Sequence, residues 1–294
     1  MRFIEFFTAQ IRNPNTRRSY VKSTGEFLRW CEDRGARSLD AIKPIHVAGW
    51  IEELTGTHSA PTAKQRLAAI RHLFDWLVTG QVMPTNPAHS VRGPKHSRKR
   101  GKTPVLSQEE ARQLFDSIPT DTVIGKRDRA LLGLMTYTFA RIGAAISMEV
   151  RDVYQQNRRL WVRLQEKGGK QAELPCHHSL ETYLDHYLDA AGLREAPRAP
   201  LFQTIRRGTG SLSGNPLSQS DAFQMIQRRA VAAGIGTAVC NHTFRATGIT
   251  AYLKNGGTLE KAAYIANHSS TRTTQLYDRR SDDVSLDEIE RILI

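Results

Sequence analysis

The stretch LWVRLQEKGGKQAELP, residues 160–175, decides the fold. Leu160, Val162 and Leu164 alternate with Trp161 and Arg163, the period of a strand with one buried face, and Gly168-Gly169 supplies a turn into a second strand. Elsewhere the apolar residues recur mostly at helical spacing. The expected class is mainly α with a small antiparallel β-sheet, and the sheet belongs to the second of two domains.

Upstream of this hairpin, residues 127–148 read as one or two helices. Ser107 and Glu110 form a capping-box signature in SQEEARQLFDSI, where the pattern restarts after Leu106. Downstream the chain reads as helical, interrupted by a Gly/Ser-rich loop in RRGTGSLSGNP, residues 206–216. The N-terminal part has its own helical pattern. A helix is expected over 15–34 with Asn15 or Thr16 as cap and Gly35 as its end, a second from about Pro44 to Leu54, and a third over Ala60 to Val78. In the third, Leu67, Ile70, Leu73, Phe74 and Leu77 face a core while Lys64, Arg66 and Arg71 face out. The expected organisation is a helical domain over 1–91, a linker over 92–104 and a second domain over 105–294, ending in a short helix over about 284–294.

With 294 residues, two domains are the better expectation. The formal charge of +13 points to a polyanionic partner, and its distribution sharpens that inference: residues 1–91 carry +4, residues 92–102 a further +6 and the remaining 192 residues only +3. The excess sits in RGPKHSRKRGKTP, where Arg92, Lys95, Arg98, Lys99, Arg100 and Lys102 accompany two glycines and two prolines. Such a run is either a solvated connector or a basic strap along a phosphate backbone. No apolar stretch approaches the roughly 20 residues a spanning helix needs, and MRFIEFFTAQIRNPNTRR lacks the apolar region of an export signal, so a cytoplasmic protein is expected. Cys31, Cys176 and Cys240 are an odd number at wide spacing, which argues for reduced thiols rather than a disulfide framework. Cys176-His177-His178 and Cys240-Asn241-His242 lack the pairing of a zinc site, so neither metal nor cofactor is expected.

Several residues carry chemistry. Arg141, in TFARIGAAISM, lies in an otherwise apolar helical stretch and needs an anionic partner, either in a structural ion pair or as a bidentate phosphate ligand. His242 and Arg245, in NHTFR, fall three apart on one helix face, either as a surface pair or sharing one ligand. Lys167 occupies the hairpin turn, as a solvated loop residue or as a general acid reaching into a groove. His268 and Tyr277 lie nine apart in NHSSTRTTQLY, a loop entering a short helix. A phenol with a pKa near 10 attacks phosphorus only with neighbouring cations or a base, so Tyr277 stands out among eight tyrosines by its company alone.

Taken jointly and in this order, ARIGAAISM, EKGGK, HTFR and NHSSTRTTQLY resemble the tyrosine recombinase family, the phage-integrase and Xer-like site-specific DNA recombinases, over essentially the whole chain. The resemblance implies an N-terminal helical core-DNA-binding domain and a C-terminal catalytic domain. It implies Arg141, Lys167, His242, Arg245 and His268 around a scissile phosphate and Tyr277 as nucleophile. Tyr277 would attack in line, Arg141 and Arg245 neutralise the non-bridging oxygens, His268 add a hydrogen bond, His242 serve as acid/base partner of the tyrosine or donate a hydrogen bond alone, and Lys167 protonate the leaving 5′ oxygen. Lys170 competes with Lys167 for that last role. The resemblance further implies a 3′-phosphotyrosyl intermediate formed without ATP or metal.

The implied partners are double-stranded DNA with paired core sites and further copies of the chain, two per site and four in the synapse, with accessory proteins as possible additions. Ser285 and Glu288 form another capping box, and Leu286, Ile289 and Leu293 recur on a final helix too short to stand alone. It docks on its own core or, as the resemblance implies, on a neighbouring protomer. Three positions depart from the family pattern: Ala144 where an acid is common, Ala246 where histidine is frequent and Asn267 in place of a usual glycine. The competing readings are a type IB topoisomerase-like relaxing enzyme and a non-catalytic DNA-binding regulator.

Overall fold

The computed structural model describes residues 5–97, 101–166, 169–278, 289, 290 and 292. The chain divides into two compact units, Met1–Ser97 and Arg98–Ile294.

The first unit is helical: α1 (Pro14–Asp33), α2 (Pro44–Thr57) and α3 (Ala60–Thr79) follow a short helical turn at Phe6–Gln10. Each of the three helices has proline in its first turn, where the missing N–H costs nothing. The cap of α1 is Asn13 rather than Asn15 or Thr16. Its side-chain oxygen accepts from the Asn15 and Thr16 amides at 3.0 and 3.2 Å, so the proline that follows it places the helix start one residue earlier. Gly35, at φ +86°, lies just past the end of α1. Phe27 is fully buried with its ring centroid 5.1 Å from Trp50 and 6.3 Å from Phe74, which ties the three helices into one core.

The second unit carries helices α4 (Gln108–Ser117), α5 (Val123–Tyr137), α6 (Ile142–Ile146), α7 (His178–Ala191), α8 (Gln219–Ala232), α9 (Thr243–Lys254), α10 (Leu259–Ile265) and α11 (Thr271–Gln275). Its main sheet is antiparallel, in the order β1 (Val153–Gln156), β2 (Arg159–Glu166) and β3 (Lys170–Pro175). The hairpin register pairs Leu164 with Ala172 and Glu166 with Lys170. Strand β1 is an addition to the two-stranded expectation. So is a second pair, β4 (Gln203–Ile205) with β5 (Leu212–Pro216), in which the Gly/Ser-rich segment taken for a loop supplies a strand. Its glycines hid the strand because they break the alternation that identifies one. The Ser107–Glu110 capping box forms as expected, with reciprocal bonds of 3.0 and 3.1 Å.

The unit has two apolar clusters. The larger packs Leu131, Leu134 and Met135 of α5 against Leu180 and Leu184 of α7 and Val162 and Leu164 of β2. The smaller joins Phe139, Ala246, Ile249, Leu253, Ala262, Ala266 and Tyr277. Helix α9 is buried from Thr243 through Thr250 and runs close to α5: a Cβ on Gly248 would come within 2.0 Å of the Thr136 carbonyl oxygen. Only glycine permits that approach. A buried ion triad joins α5 to α8, with Asp128 accepting from Arg127 at 2.6 Å and from Arg229 at 2.7 Å.

Candidate active site

The region expected as one or two helices breaks at Phe139, which adopts φ +54° between α5 and α6. Arg141 therefore sits at the N-cap position of α6 instead of inside an apolar helix, and its side chain is about one-third exposed. The anionic partner it requires is Glu166, at the end of β2, whose carboxylate accepts from Arg141 Nη1. The Glu166 side chain is only 4 % exposed.

Arg245 projects from the first turn of α9 and is fully buried. Its guanidinium donates to the carbonyl oxygen of Phe139, to that of Ala266 at 2.6 Å and to His268 Nε2 at 2.7 Å. Its Nε–H has no acceptor. An arginine has no lone pair to offer, so His268 Nε2 must accept, and the imidazole proton resides on Nδ1, which donates to Thr274 Oγ1 at 2.9 Å. Asn267, just before His268, has φ +49° and closes α10, its N–H bonding to the Tyr264 carbonyl. Glycine is common at such a left-handed stop and asparagine is the next best tolerated, which accounts physically for that departure from the family pattern. Ala144 and Ala246 are both buried, and the latter packs in the smaller apolar cluster.

Tyr277 follows α11 and is 7 % exposed. Its hydroxyl lies 2.6 Å from His242 Nε2, at the N-cap of α9, and its ring lies parallel to His268 within 10°, the centroids 5.9 Å apart. Thr250 Oγ1 donates to the Tyr277 carbonyl at 2.8 Å, fixing the backbone that carries the phenol. Arg141, His242 and Glu166 line one cavity of about 440 Å³ together with Ala144 and Gln219. The structure thus brings Arg141, His242, Arg245, His268 and Tyr277 into one constellation. Lys167, the sixth expected member, lies outside the described residues, as do Gly168, most of the expected tail helix and linker residues Arg98, Lys99 and Arg100. Lys170, the competing lysine, is exposed on β3.

Burial and the two arginines shape the site's protonation. Desolvation first, then Arg245 and Arg141, lower the His242 pKa, and the same causes push His268 down to about 3. Both imidazoles are therefore neutral at neutral pH, and His242 retains a lone pair able to take a proton from the phenol. Arg245 is lowered to about 10, by desolvation and then by Arg141, and remains a cation. A histidine whose folded pKa is depressed binds fewer protons folded than unfolded. Its stabilising contribution is complete above the ordinary value near 6.5 and declines as pH falls toward the folded value. The expected result is a melting temperature that drops from pH 6.5 to 5, at below about 1 kcal/mol per pH unit for each partly screened group. His268→Asn should flatten that slope in thermal melts across the range, and equal slopes in the two proteins would contradict the assignment.

Two further residues of the site were not picked out from the sequence. Thr274, fully buried, holds His268, and nothing in the sequence distinguishes it from its neighbours. Glu166 did carry a signal. The alternation Leu160, Val162, Leu164 continues to 166 with the same parity, so a carboxylate falls on the buried face of the strand and requires a cation.

The cations expected to meet DNA are placed unevenly. Lys64, Arg92, Lys95 and Lys102 are exposed. Arg66 is ion-paired with Glu26 and its side chain is 15 % exposed. Arg71, expected to face out, instead donates to the carbonyls of Ala88, at 3.1 Å, and Val91, holding the segment after α3. Helical periodicity places a side chain on a face but does not reveal a loop folding back over it. No group of three His, Cys, Asp or Glu residues converges on a metal-sized site among the described residues.

The phage integrase family matches residues 104–283, and the phage integrase N-terminal SAM-like domain matches residues 2–81. The chain belongs to the phage integrase family. Relatives in it include the tyrosine recombinase XerD of Mycobacterium leprae, 30% identical over 275 residues covering 90% of this chain and 86% of that one. The XerD of Chlorobaculum tepidum is 29% identical over 285 residues, 94% and 89% of the two chains. Among solved structures, the XerH site-specific recombinase bound to palindromic difH substrate, a post-cleavage complex, superposes with a TM-score of 0.72 at 19% identity over 94% of this chain and 79% of that one. A lambda integrase tetramer bound to a Holliday junction gives 0.70 at 17% identity over 97% and 78%. At these identities the structural matches establish the fold: a mainly helical family member with a SAM-like N-terminal domain and a C-terminal catalytic domain.

Proposed function

We propose that this chain is a site-specific DNA recombinase that cuts and rejoins DNA through a 3′-phosphotyrosyl intermediate. The observation that carries the reading is the 2.6 Å contact between the Tyr277 hydroxyl and a histidine held neutral by burial and by two arginines.

Tyr277 Oη attacks the scissile phosphorus as its proton passes to His242 Nε2. The P–O5′ bond breaks, and the departing oxygen takes a proton from Lys167, the turn lysine that follows Glu166 in the chain. Arg141, one-third exposed and lining the cavity, meets the non-bridging oxygens, while the buried cation of Arg245 adds its field to the charge developing there. His268 acts in the free site by holding Arg245, since its Nε2 lone pair already accepts from that guanidinium. Attack by a partner strand's 5′ hydroxyl on the phosphotyrosine reverses the chemistry, regenerating the phenol and joining the new strand. The phosphodiester energy is retained in the protein link throughout, so ligation needs no nucleotide.

The partner is duplex DNA with paired core sites. The lambda integrase tetramer on a Holliday junction supports a homo-oligomer, two copies per site and four in the synapse, acting in the cytoplasm where such DNA resides. Among the described residues no helix is long and apolar enough to cross a membrane.

The test uses duplexes taken from the DNA around the coding sequence and chosen for inverted repeats about a short spacer, nicked near the expected cleavage point so that the released fragment diffuses away. Incubation in EDTA should yield a protein–DNA adduct whose peptide map places the phosphate on Tyr277, and a plasmid with two such sites should exchange strands between them. Absence of the adduct would defeat the reading. Relaxation of supercoils without exchange would point to a topoisomerase-like activity instead.

A further inference from the structure

We propose that Glu166 is the positioning carboxylate of this site: anchored on the buried face of β2, it holds the Arg141 guanidinium with its remaining donors turned toward the cavity. This rests on the recombinase reading for its consequence, but on geometry for its substance.

Three observations support it. The carboxylate is 4 % exposed whereas Arg141 is 34 % exposed, so Glu166 lies behind the arginine and not between it and solvent. A phosphate approaching through the cavity meets Arg141 first, with the carboxylate at its back. The contact runs through Nη1 alone, which leaves the other guanidinium donors free to face a ligand. Finally, Ala144, three residues after Arg141 and on the wall of the same cavity, contributes no carboxylate, so Glu166 is the acid that lines the cavity.

Position alone makes this contact consequential. Arg141 and Arg245 repel one another across the site, and Glu166 offsets that repulsion at both, as its favourable interaction with Arg245 indicates. The pair also joins the base of the β-hairpin to the break between α5 and α6, elements 25 residues apart in the chain. A carboxylate that merely blocked the phosphate seat would have to be displaced by DNA, and its removal would speed cleavage. A positioning carboxylate has the opposite sign.

The experiment has two arms. In the first, Glu166→Gln is expected to slow single-turnover adduct formation about 30–100-fold, the cost of letting a catalytic cation drift by an ångström, with DNA affinity changed less than about threefold. Glu166→Gln combined with Ala144→Glu, which returns a carboxylate to the same cavity wall, should regain at least about tenfold of that rate by the same argument. A purely structural role would not produce this split between rate and affinity or respond to the relocated charge. In the second arm, nuclear magnetic resonance of the DNA-free protein, with Arg141→Lys used for assignment, should show distinct Nη resonances for Arg141 in wild type and a single averaged signal in Glu166→Gln. Wild-type or faster cleavage by Glu166→Gln, or unchanged Arg141 resonances, would overturn the proposal. If wild type itself forms no adduct, the recombinase reading falls, while the resonance arm still decides whether Glu166 positions Arg141.

Discussion

Tyr277→Phe is expected to give a folded protein that binds DNA and forms no covalent adduct, a loss of about 10⁴-fold or more in cleavage because the attacking atom is gone. Only one hydroxyl is removed. The bond to His242 is lost, at a net cost of about 1 kcal/mol, whereas the Thr250 contact to the Tyr277 carbonyl and the packing of the ring against Phe139, Ile249 and Ala266 persist. Thermal melts and gel-shift titrations should therefore resemble wild type while denaturing gels of the nicked-duplex reaction show no shifted band. An adduct persisting in the variant would reassign the nucleophile. Tyr252 and Tyr264 are the nearest alternatives in sequence, yet Tyr264 is 75% exposed and the hydroxyl that meets His242 is that of Tyr277.

Arg245→Ala should damage both fold and function. In the native protein this guanidinium satisfies the Phe139 and Ala266 carbonyls and the His268 lone pair, joining the α5–α6 break, the end of α10 and the segment leading to Tyr277. Truncation leaves those acceptors buried without donors and opens a cavity under a fully buried residue, at a cost of about 2 kcal/mol or more, moderated by relief of a desolvated cation. Adduct formation should fall at least about 10²–10³-fold, as when one preorganised donor is removed from a developing oxyanion. Arg245→Lys separates the two effects. It keeps the charge and recovers part of the stability, but it lacks the planar fork that reaches three acceptors at once, so the rate should remain low. Melting temperature and single-turnover rate measured on both variants check this, and a lysine variant with wild-type rate would refute it.

The parts legible in the sequence were those governed by local periodicity and capping. The helices over Pro14–Asp33, Pro44–Thr57 and Ala60–Thr79, the box at Ser107 and Glu110, and the hairpin about 160–175 all follow from spacing that each segment carries within itself. Structure and local pattern part where a segment's conformation depends on something distant. The glycine-rich 206–216 region forms a strand because β4 is there to pair with it. Arg71 turns inward because residues 86–91 fold back to offer carbonyls, and the helix through Arg141 breaks because Phe139 adopts a left-handed backbone in which its carbonyl oxygen accepts from Arg245.

The same division holds at the site. Residue types and their order already carry the inventory for the proposed attack on a phosphodiester. The tertiary structure decided how they are wired, with Glu166 behind Arg141, His268 accepting from Arg245 and therefore protonated on Nδ1, and His242 facing the Tyr277 phenol. These contacts join residues 25, 23 and 35 positions apart. Periodicity fixes only the face on which a side chain lies, whereas hydrogen bonds depend on direction and on distances of a few tenths of an ångström, which are set when separate elements pack together.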